Sequence, residues 1–295
     1  IDETSNLGAI KIRLRSLIAS MNKRQKETTY TPYQFEKNYF KKPMKTENTI
    51  LCPDMSPFHM PLLVRALNSE GYRIVYLKEM NDAMLDNGLK YVNNDACYPS
   101  LIVIGQLLSA LQSGKYDLNH TTVLISQTGG GCRATNYIGL IRKALKDAGF
   151  ENIPILSFNV SGLESEQEFK ITIHMANKFL MAVVLGDLLM KLLYATRPYE
   201  KKKGMSEQVY NNHLQKCLEI VESGKRDQFK KEIRKIVQDF NEIPTEAKKL
   251  PKVGIVGEIL IKYHHYGNHD LARELEQEGC EVTVPELMGF VKYCA

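Results

Sequence analysis

ALNSEGYRIVYL, residues 66–77, runs from an amphipathic helix end through a glycine and one further residue into a β-rich stretch. A glycine just past a helix takes the left-handed conformation that ends it, and the next residue, here Tyr72, folds back onto the last turn. The same order recurs in ALKDAGFENIPILSF (144–158) and ELEQEGCEVTVPEL (274–287), with Phe150 and Cys280 in the place of Tyr72. A looser copy is LQSGKYD (111–117) followed by TTVLIS (121–126). Repeated helix-to-strand returns predict an α/β fold with a mainly parallel sheet flanked by helices on both faces. The predicted strands are Thr49–Leu51, Arg73–Leu77, Thr122–Ser126, Pro154–Phe158, Val253–Val256 and Glu281–Val284. Several are short, continuous apolar runs, as strands buried on both faces must be.

Outside this rhythm the chain divides into further parts. Residues 1–48 read as an N-terminal arm, with one helix over 10–22 and a polar connecting stretch over 27–48. Residues 49–200 form the α/β lobe and end in a long apolar-periodic helix pair or bent helix at 166–195, stopped at Pro198. Residues 201–250 are a helical connector, with Leu214, Cys217, Leu218 and Val221 at helical spacing on one face. From KVGIVGEIL (252–260) a second α/β lobe starts and runs to Ala295. Two strands alone cannot bury a sheet, so this unit is expected to pair with the first lobe or to continue in a longer chain. The first residue is Ile1 rather than Met, which reads as a fragment or a processed product.

Composition narrows the function classes. The 295 residues are 43% hydrophobic and 25% charged, the balance of an ordinary globular protein. The net charge of +5 comes from 39 basic and 34 acidic residues. Its densest stretches, 11–26 and 201–203, read as an amphipathic arm and a solvated turn rather than a nucleic-acid patch. No run of about 18 apolar residues is seen, so no membrane span is expected, and no secretory leader opens the chain. The cysteines Cys52, Cys97, Cys132, Cys217, Cys280 and Cys294 are widely spaced, with no CxxC. That usage does not suit a disulfide framework and fits a reducing cytoplasm.

Two loops stand out chemically. QTGGGCRATNY (127–137) follows a predicted strand and precedes a helix. Gly129, Gly130 and Gly131 let the backbone turn sharply and approach a bound group. The helix start beyond them offers free N–H groups and favours a thiolate at Cys132. Such a loop suits a phosphate or an iron–sulfur cluster; a tight turn with a buried Cys reads equally well. In NNDACYPS (93–100), Pro99 suits the first turn of a helix and places Cys97 just before it. Loops at the carboxyl ends of parallel strands meet in one crevice, so the two thiols can converge; an N-capping loop with an incidental thiol is the alternative. Cys52, at a strand end in ILCPDMSPFHM (50–60), is a further candidate for that crevice. Cys217 and Cys280 read as small core residues.

Other motifs are weaker. IKYHHYGNH (261–269) carries His264, His265 and His269, but no acidic or Cys partner for a zinc site. GIVGE (254–258) lacks GxGxxG, and neither a GxxxxGK[ST] loop nor a GxSxG elbow occurs. His59 reads as a satisfied structural residue more readily than as an acid or base.

GLKYVNNDACYP (88–99), SGKYD (113–117), QTGGGCRATNYIGLIRKAL (127–145), GDLLMKLLYATRPYE (186–200) and VGIVGEILIKY (253–263) together resemble one family. It is the C-terminal region of the large acyl-CoA dehydratase activase-related proteins of anaerobic bacteria. That region is similar to subunits of 2-hydroxyacyl-CoA dehydratases and to double-cubane cluster proteins. The resemblance spans about residues 48–295. It implies Rossmann-like lobes around a cysteine-bound [4Fe–4S]-type cluster, and low-potential electron transfer driven by ATP hydrolysis on an activase domain. In the dehydratases the electron reaches a 2-hydroxyacyl-CoA thioester as a ketyl radical, which enables loss of water. Carried onto this chain, Cys97 and Cys132 match the cluster-loop cysteines, and Cys294 fits the end of the family pattern where Cys52 does not. The chain lacks the phosphate loops of an ATPase, so an activase partner, expected upstream in a longer protein, supplies that step. An acyl-CoA substrate, an oligomer and no nucleic-acid or membrane partner complete the expectation. The alternatives are a metal-free scaffold binding CoA or phosphate, and a docking segment whose arm tethers it to the activase.

Overall fold

The computed structural model of the protein describes residues 7–26, 37–93, 96–127, 133–159 and 167–294. The chain separates into two compact units, residues 1–36 and 37–295. The first holds helix α1 (Leu7–Gln25), with Leu14, Leu17, Ile18 and Met21 exposed and Lys23 and Arg24 in its last turn.

The second unit opens with the short α2 (Met44–Glu47) and strand β1 (Thr49–Pro53). Then come α3 (Met60–Asn68), β2 (Ile74–Leu77), α4 (Asp82–Tyr91), α5 (Tyr98–Gln112) and β3 (Thr121–Gln127). The lobe finishes with α6 (Tyr137–Asp147) and β4 (Ile155–Asn159). A long α7 (Ile173–Thr196) leads to α8 (Met205–Ser223) and α9 (Arg226–Asn241). The last part holds β5 (Lys252–Gly254), α10 (Ile259–Tyr263), α11 (Leu271–Gln277), β6 (Glu281–Thr283) and α12 (Leu287–Cys294).

The main sheet has four parallel strands in the order β2-β1-β3-β4, a Rossmann-like α/β arrangement. All six predicted strands are present, with ends shifted by one or two residues. The helix stops form as the sequence pattern requires. Gly71, Gly149 and Gly279 have φ of 88°, 81° and 81°. The N–H of each following residue reaches back into the helix, Tyr72 to the carbonyl of Leu67 at 3.4 Å, Phe150 to Leu145 at 2.7 Å and Cys280 to Leu275 at 2.9 Å. These bonds satisfy carbonyls that the helix end leaves bare.

Side-chain alternation sends the strands into two cores. Leu51, Val123, Ile125 and Ile155 pack with Ile102, Leu107 and Ile141 beneath α5 and α6. Ile50, Cys52, Leu124 and Leu156 face the other way, onto Met60, Val64 and Met175 of α3 and α7. Each fully buried Leu or Ile contributes about 1.5–3 kcal/mol before entropy is set against it. Two glycines let α4 and α5 touch backbone to backbone. A Cβ on Gly105 would collide with the carbonyl of Met84, and one on Gly88 with the carbonyl of Leu101.

Several expectations need correcting. The polar stretch 27–48 is not all arm, for Phe40 is 1% exposed in the core and Tyr39 bridges to Ile155. The cause is a pair of aromatics within a polar composition. Of the two readings of the long helical segment, the single helix is the one that forms, Ile173–Thr196. The connector is broken by Gly224, whose φ is 65°, into α8 and α9. β5 and β6 do not join the main sheet. They form a separate parallel pair, and Ile255, Val282 and Val284 bury against α7 with Leu185, Leu189 and Phe240. Residues 173–199 are long and apolar enough to cross a membrane by composition, a length the sequence reading did not find. Half of that apolar window is buried in the fold. Lys178 and Asp187 within it are buried and paired, Lys178 donating to Ser69 Oγ at 2.8 Å and Glu70 Oε1 at 2.7 Å. α7 is the spine shared by the cores around it.

Candidate functional site

The chain leaves β1 toward β2 on one side and reaches β3 on the other, so the topological switch lies between β1 and β3. In open parallel sheets the crevice outside the carboxyl ends at that point is where ligands bind. The segment after β1 (residues 54–59), the end of β3 and the starts of α5 and α6 all lie at this end.

Cys97 is the N-cap residue of α5, in extended conformation with φ −63° and ψ 132° and with Pro99 in the first turn. Its carbonyl accepts from the N–H of Ser100 at 2.9 Å and from the Ser100 hydroxyl at 2.6 Å, which fixes the turn. The thiol is partly exposed and rests on the core beneath α5. Its Sγ lies 3.1 Å from the hydroxyl of Tyr137, 40 positions on and the first residue of α6. The two helix starts therefore meet. Gly129, Gly130, Gly131 and Cys132, which the sequence placed in this loop, lie outside the described residues. Both flanks of the loop are fixed: Gln127 at the end of β3 donates from Nε2 to the carbonyl of Thr135 at 2.8 Å, and its Oε1 accepts from Ser157 Oγ of β4 at 2.5 Å. A single side chain thus clasps the end of β3 to Thr135 on one side and to β4 on the other.

The other cysteines separate clearly. Cys52 is 1% exposed and points into the core between the sheet and α3, the face opposite α5. Burial, with the charge of Asp54 adding, pushes its thiol far above the ordinary range. Its place one residue from the strand end suggested reach into the crevice, but alternation turns it away. Cys217 packs beneath α8, and burial pushes its thiol up to about 12. Cys280 follows Gly279 at the helix stop. Cys294 is the last residue of α12, and its side chain lies outside the described ones. Among the described residues no three His, Cys, Asp or Glu side chains stand close enough to share an ion. Cys97 fits one position of a thiolate-ligated group: a soft donor, partly open, at the start of a helix of 15 residues.

The segment after β1 holds groups that the sequence reading did not single out. Asp54 is buried, and its backbone N–H donates to Gln106 Oε1 of α5 at 2.8 Å. Gln106 Nε2 donates to the carbonyls of Leu77 and Glu79 at 2.7 and 2.8 Å, tying α5 to the end of β2. The Tyr76 hydroxyl donates to Asp54 Oδ1 at 2.6 Å. Burial pushes the Asp54 carboxyl up, and the Tyr76 bond pulls against it. His264, at the end of α10, accepts the N–H of Gly267 at Nδ1, 3.1 Å. Its proton therefore sits on Nε2, which lies 3.9 Å from Asp54 Oδ2, beyond hydrogen-bond reach, and has no partner among the described residues. Burial, then the charge of His265, pushes His264 down to about 4, so it is neutral near pH 7. His265 instead approaches Asp270 at 3.7 Å on the surface; the histidine cluster does not form one site.

His59 is fully buried, with Nδ1 2.7 Å from Ser56 Oγ and Nε2 2.9 Å from Asp187 Oδ1 of α7. This is the satisfied structural histidine that the sequence favoured, and its partners mark it as a brace. The signal for Asp54 was legible in part. A carboxylate directly after a strand buried on both faces sits at the carboxyl edge by definition. Tyr137 closes the quoted QTGGGC motif, yet nothing in the sequence aims its hydroxyl at Cys97.

No family model, curated protein or solved structure matches this chain.

Proposed function

We propose that the crevice between β1 and β3 is the iron–sulfur site of a low-potential electron-transfer module related to radical dehydration of 2-hydroxyacyl-CoA. Cys97, Cys132 and Cys294 are its thiolate ligands, and Gly129, Gly130 and Gly131 its N–H donors. The observation that carries the reading is the 3.1 Å approach of Cys97 Sγ to Tyr137. It ties the start of α5 to the start of the helix leaving the QTGGGC loop, the convergence that two distant ligands require. A cluster held there supplies single-electron transfer at low potential. The chain's own part is to hold the thiols. α5 fixes Cys97 from its first turn, and the Gln127 clasp sets the base of the loop carrying Cys132. With fewer than four protein cysteines, a cluster bound there would keep a position for water or substrate. The electron comes from an ATP-dependent activase domain, and the setting is the cytoplasm.

The test is anaerobic purification with iron and sulfide analysis. The reading expects brown protein, with iron and sulfide lost in Cys97→Ser and Cys132→Ser and kept in Cys52→Ser. Colourless wild-type protein that binds CoA would replace it with the metal-free scaffold.

A further inference from the structure

Asp54 follows β1 directly, at the carboxyl edge where an open parallel sheet takes its ligands. It is held from two sides. Its backbone N–H donates to Gln106 Oε1 at 2.8 Å, and its Oδ1 accepts from the Tyr76 hydroxyl at 2.6 Å. His264 is held as firmly. Its backbone N–H donates to the carbonyl of Leu260 at 2.9 Å, and its Nδ1 accepts from the N–H of Gly267 at 3.1 Å. The residue is 1% exposed, and its buried Nε2 has no partner among the described residues. That nitrogen faces Asp54 Oδ2 across 3.9 Å. The two do not bond directly at that separation, but one oxygen about 2.8 Å from each would join them at an angle of roughly 90°.

The tautomer decides what fits. An Nδ1 that accepts leaves the proton on Nε2, so this nitrogen offers a donor and no lone pair. A metal ion finds no ligand in it, and among the described residues no three metal-ligating side chains stand together. An anion would meet the Asp54 carboxylate. A neutral hydroxyl suits both groups: it accepts from Nε2 and donates its own proton to Oδ2. With Asp54 protonated, the same oxygen accepts from both.

We propose that Asp54 and His264 form a subsite for one hydroxyl oxygen, supplied by a water or by the alcohol of a small neutral ligand at the carboxyl edge of β1. The subsite needs no cluster, so it stands or falls apart from the iron–sulfur reading.

The test uses the full chain. NMR of isotope-labelled histidine near pH 7 reads the tautomer while ethylene glycol is titrated in as the alcohol probe. A crystal structure grown without polyols reads the space between the two side chains. The proposal expects the proton on Nε2 and an oxygen within hydrogen-bond distance of both His264 Nε2 and Asp54 Oδ2. A His264 signal that shifts saturably with glycol assigns that oxygen to an alcohol ligand; with the oxygen in place, a signal that glycol leaves unmoved assigns it to water. His264→Phe, which keeps a ring and removes both nitrogens, should lose the oxygen and any glycol response. The wild-type readings decide the matter even where that variant does not fold. A direct hydrogen bond between Nε2 and Oδ2, a proton on Nδ1, a metal ion at Nε2, or no oxygen between the two groups overturns the proposal.

Discussion

Asp187 of α7 accepts a hydrogen bond from His59 Nε2, 128 positions away, at 2.9 Å, and the same carboxylate accepts from the first two N–H groups of α12. Leu287 donates to Oδ1 at 2.7 Å and Met288 to Oδ2 at 2.9 Å. The central helix thus caps the last helix while bracing the segment after β1. Asp187→Ala should destabilise the protein by about 3 kcal/mol, because a buried histidine and two backbone donors lose their acceptor together. Asp187→Asn, which keeps one acceptor oxygen, should cost less. Urea unfolding of the two variants checks the order; equal, small losses would mean that water replaces the carboxylate.

The α4–α5 crossing depends on having no side chain at its centre. Gly105→Ala and Gly88→Ala each drive a Cβ into the facing backbone carbonyl and should cost about 2 kcal/mol or more. Gly289→Ala in α12 is the contrast, since nothing lies within 4 Å of its added methyl. There the helix propensity of alanine should stabilise by about 0.5–1 kcal/mol. Thermal unfolding separates the two classes.

Acid should weaken the fold through His264. Its folded pKa of about 4 lies below the ordinary value of 6.5. Between those values the unfolded chain binds a proton that the folded chain refuses. Stability is therefore unaffected above pH 6.5 and falls by up to about 1.4 kcal/mol per pH unit toward pH 4. Asp54, whose carboxyl is raised, acts with the opposite sign close to its own titration. The checking measurement is the urea midpoint from pH 4.5 to 7.5 in wild type and His264→Gln, with a flatter profile expected in the variant.

Thiol labelling of the native protein should follow burial. In protein free of any bound cluster, Cys52 and Cys217, both buried and pushed up, should resist alkylation at pH 8 until urea unfolds the chain, whereas Cys97 and Cys280, both partly exposed, should react. Mass spectrometry of the peptides reads this directly. Fast labelling of Cys52 would contradict the side of the sheet assigned to it.

Local rules carried much of the fold. The glycine after each helix, and the residue folding back behind it, are decided within a dozen positions, so 66–77, 144–158 and 274–287 were readable. The burial of Phe40, the docking of β5 and β6 on α7 and the face chosen by Cys52 depend on long-range packing, which no local pattern states. The same division holds at the site. Cys97 before a helix was visible from Pro99, but the Tyr137 contact, the Gln127 clasp and the Asp54–His264 approach join residues from separate elements. Their partners are fixed only once the sheet has formed.

The glycine contact between α4 and α5 also bears on Cys97. Gly105 lies eight residues along α5 from it, about 12 Å of helix. The thiol is mounted on a strut that is clamped backbone to backbone two turns below. A donor atom supported this way keeps its place when the charge beside it changes. If the proposed cluster is bound there, such a mounting would keep nuclear rearrangement small on each oxidation or reduction.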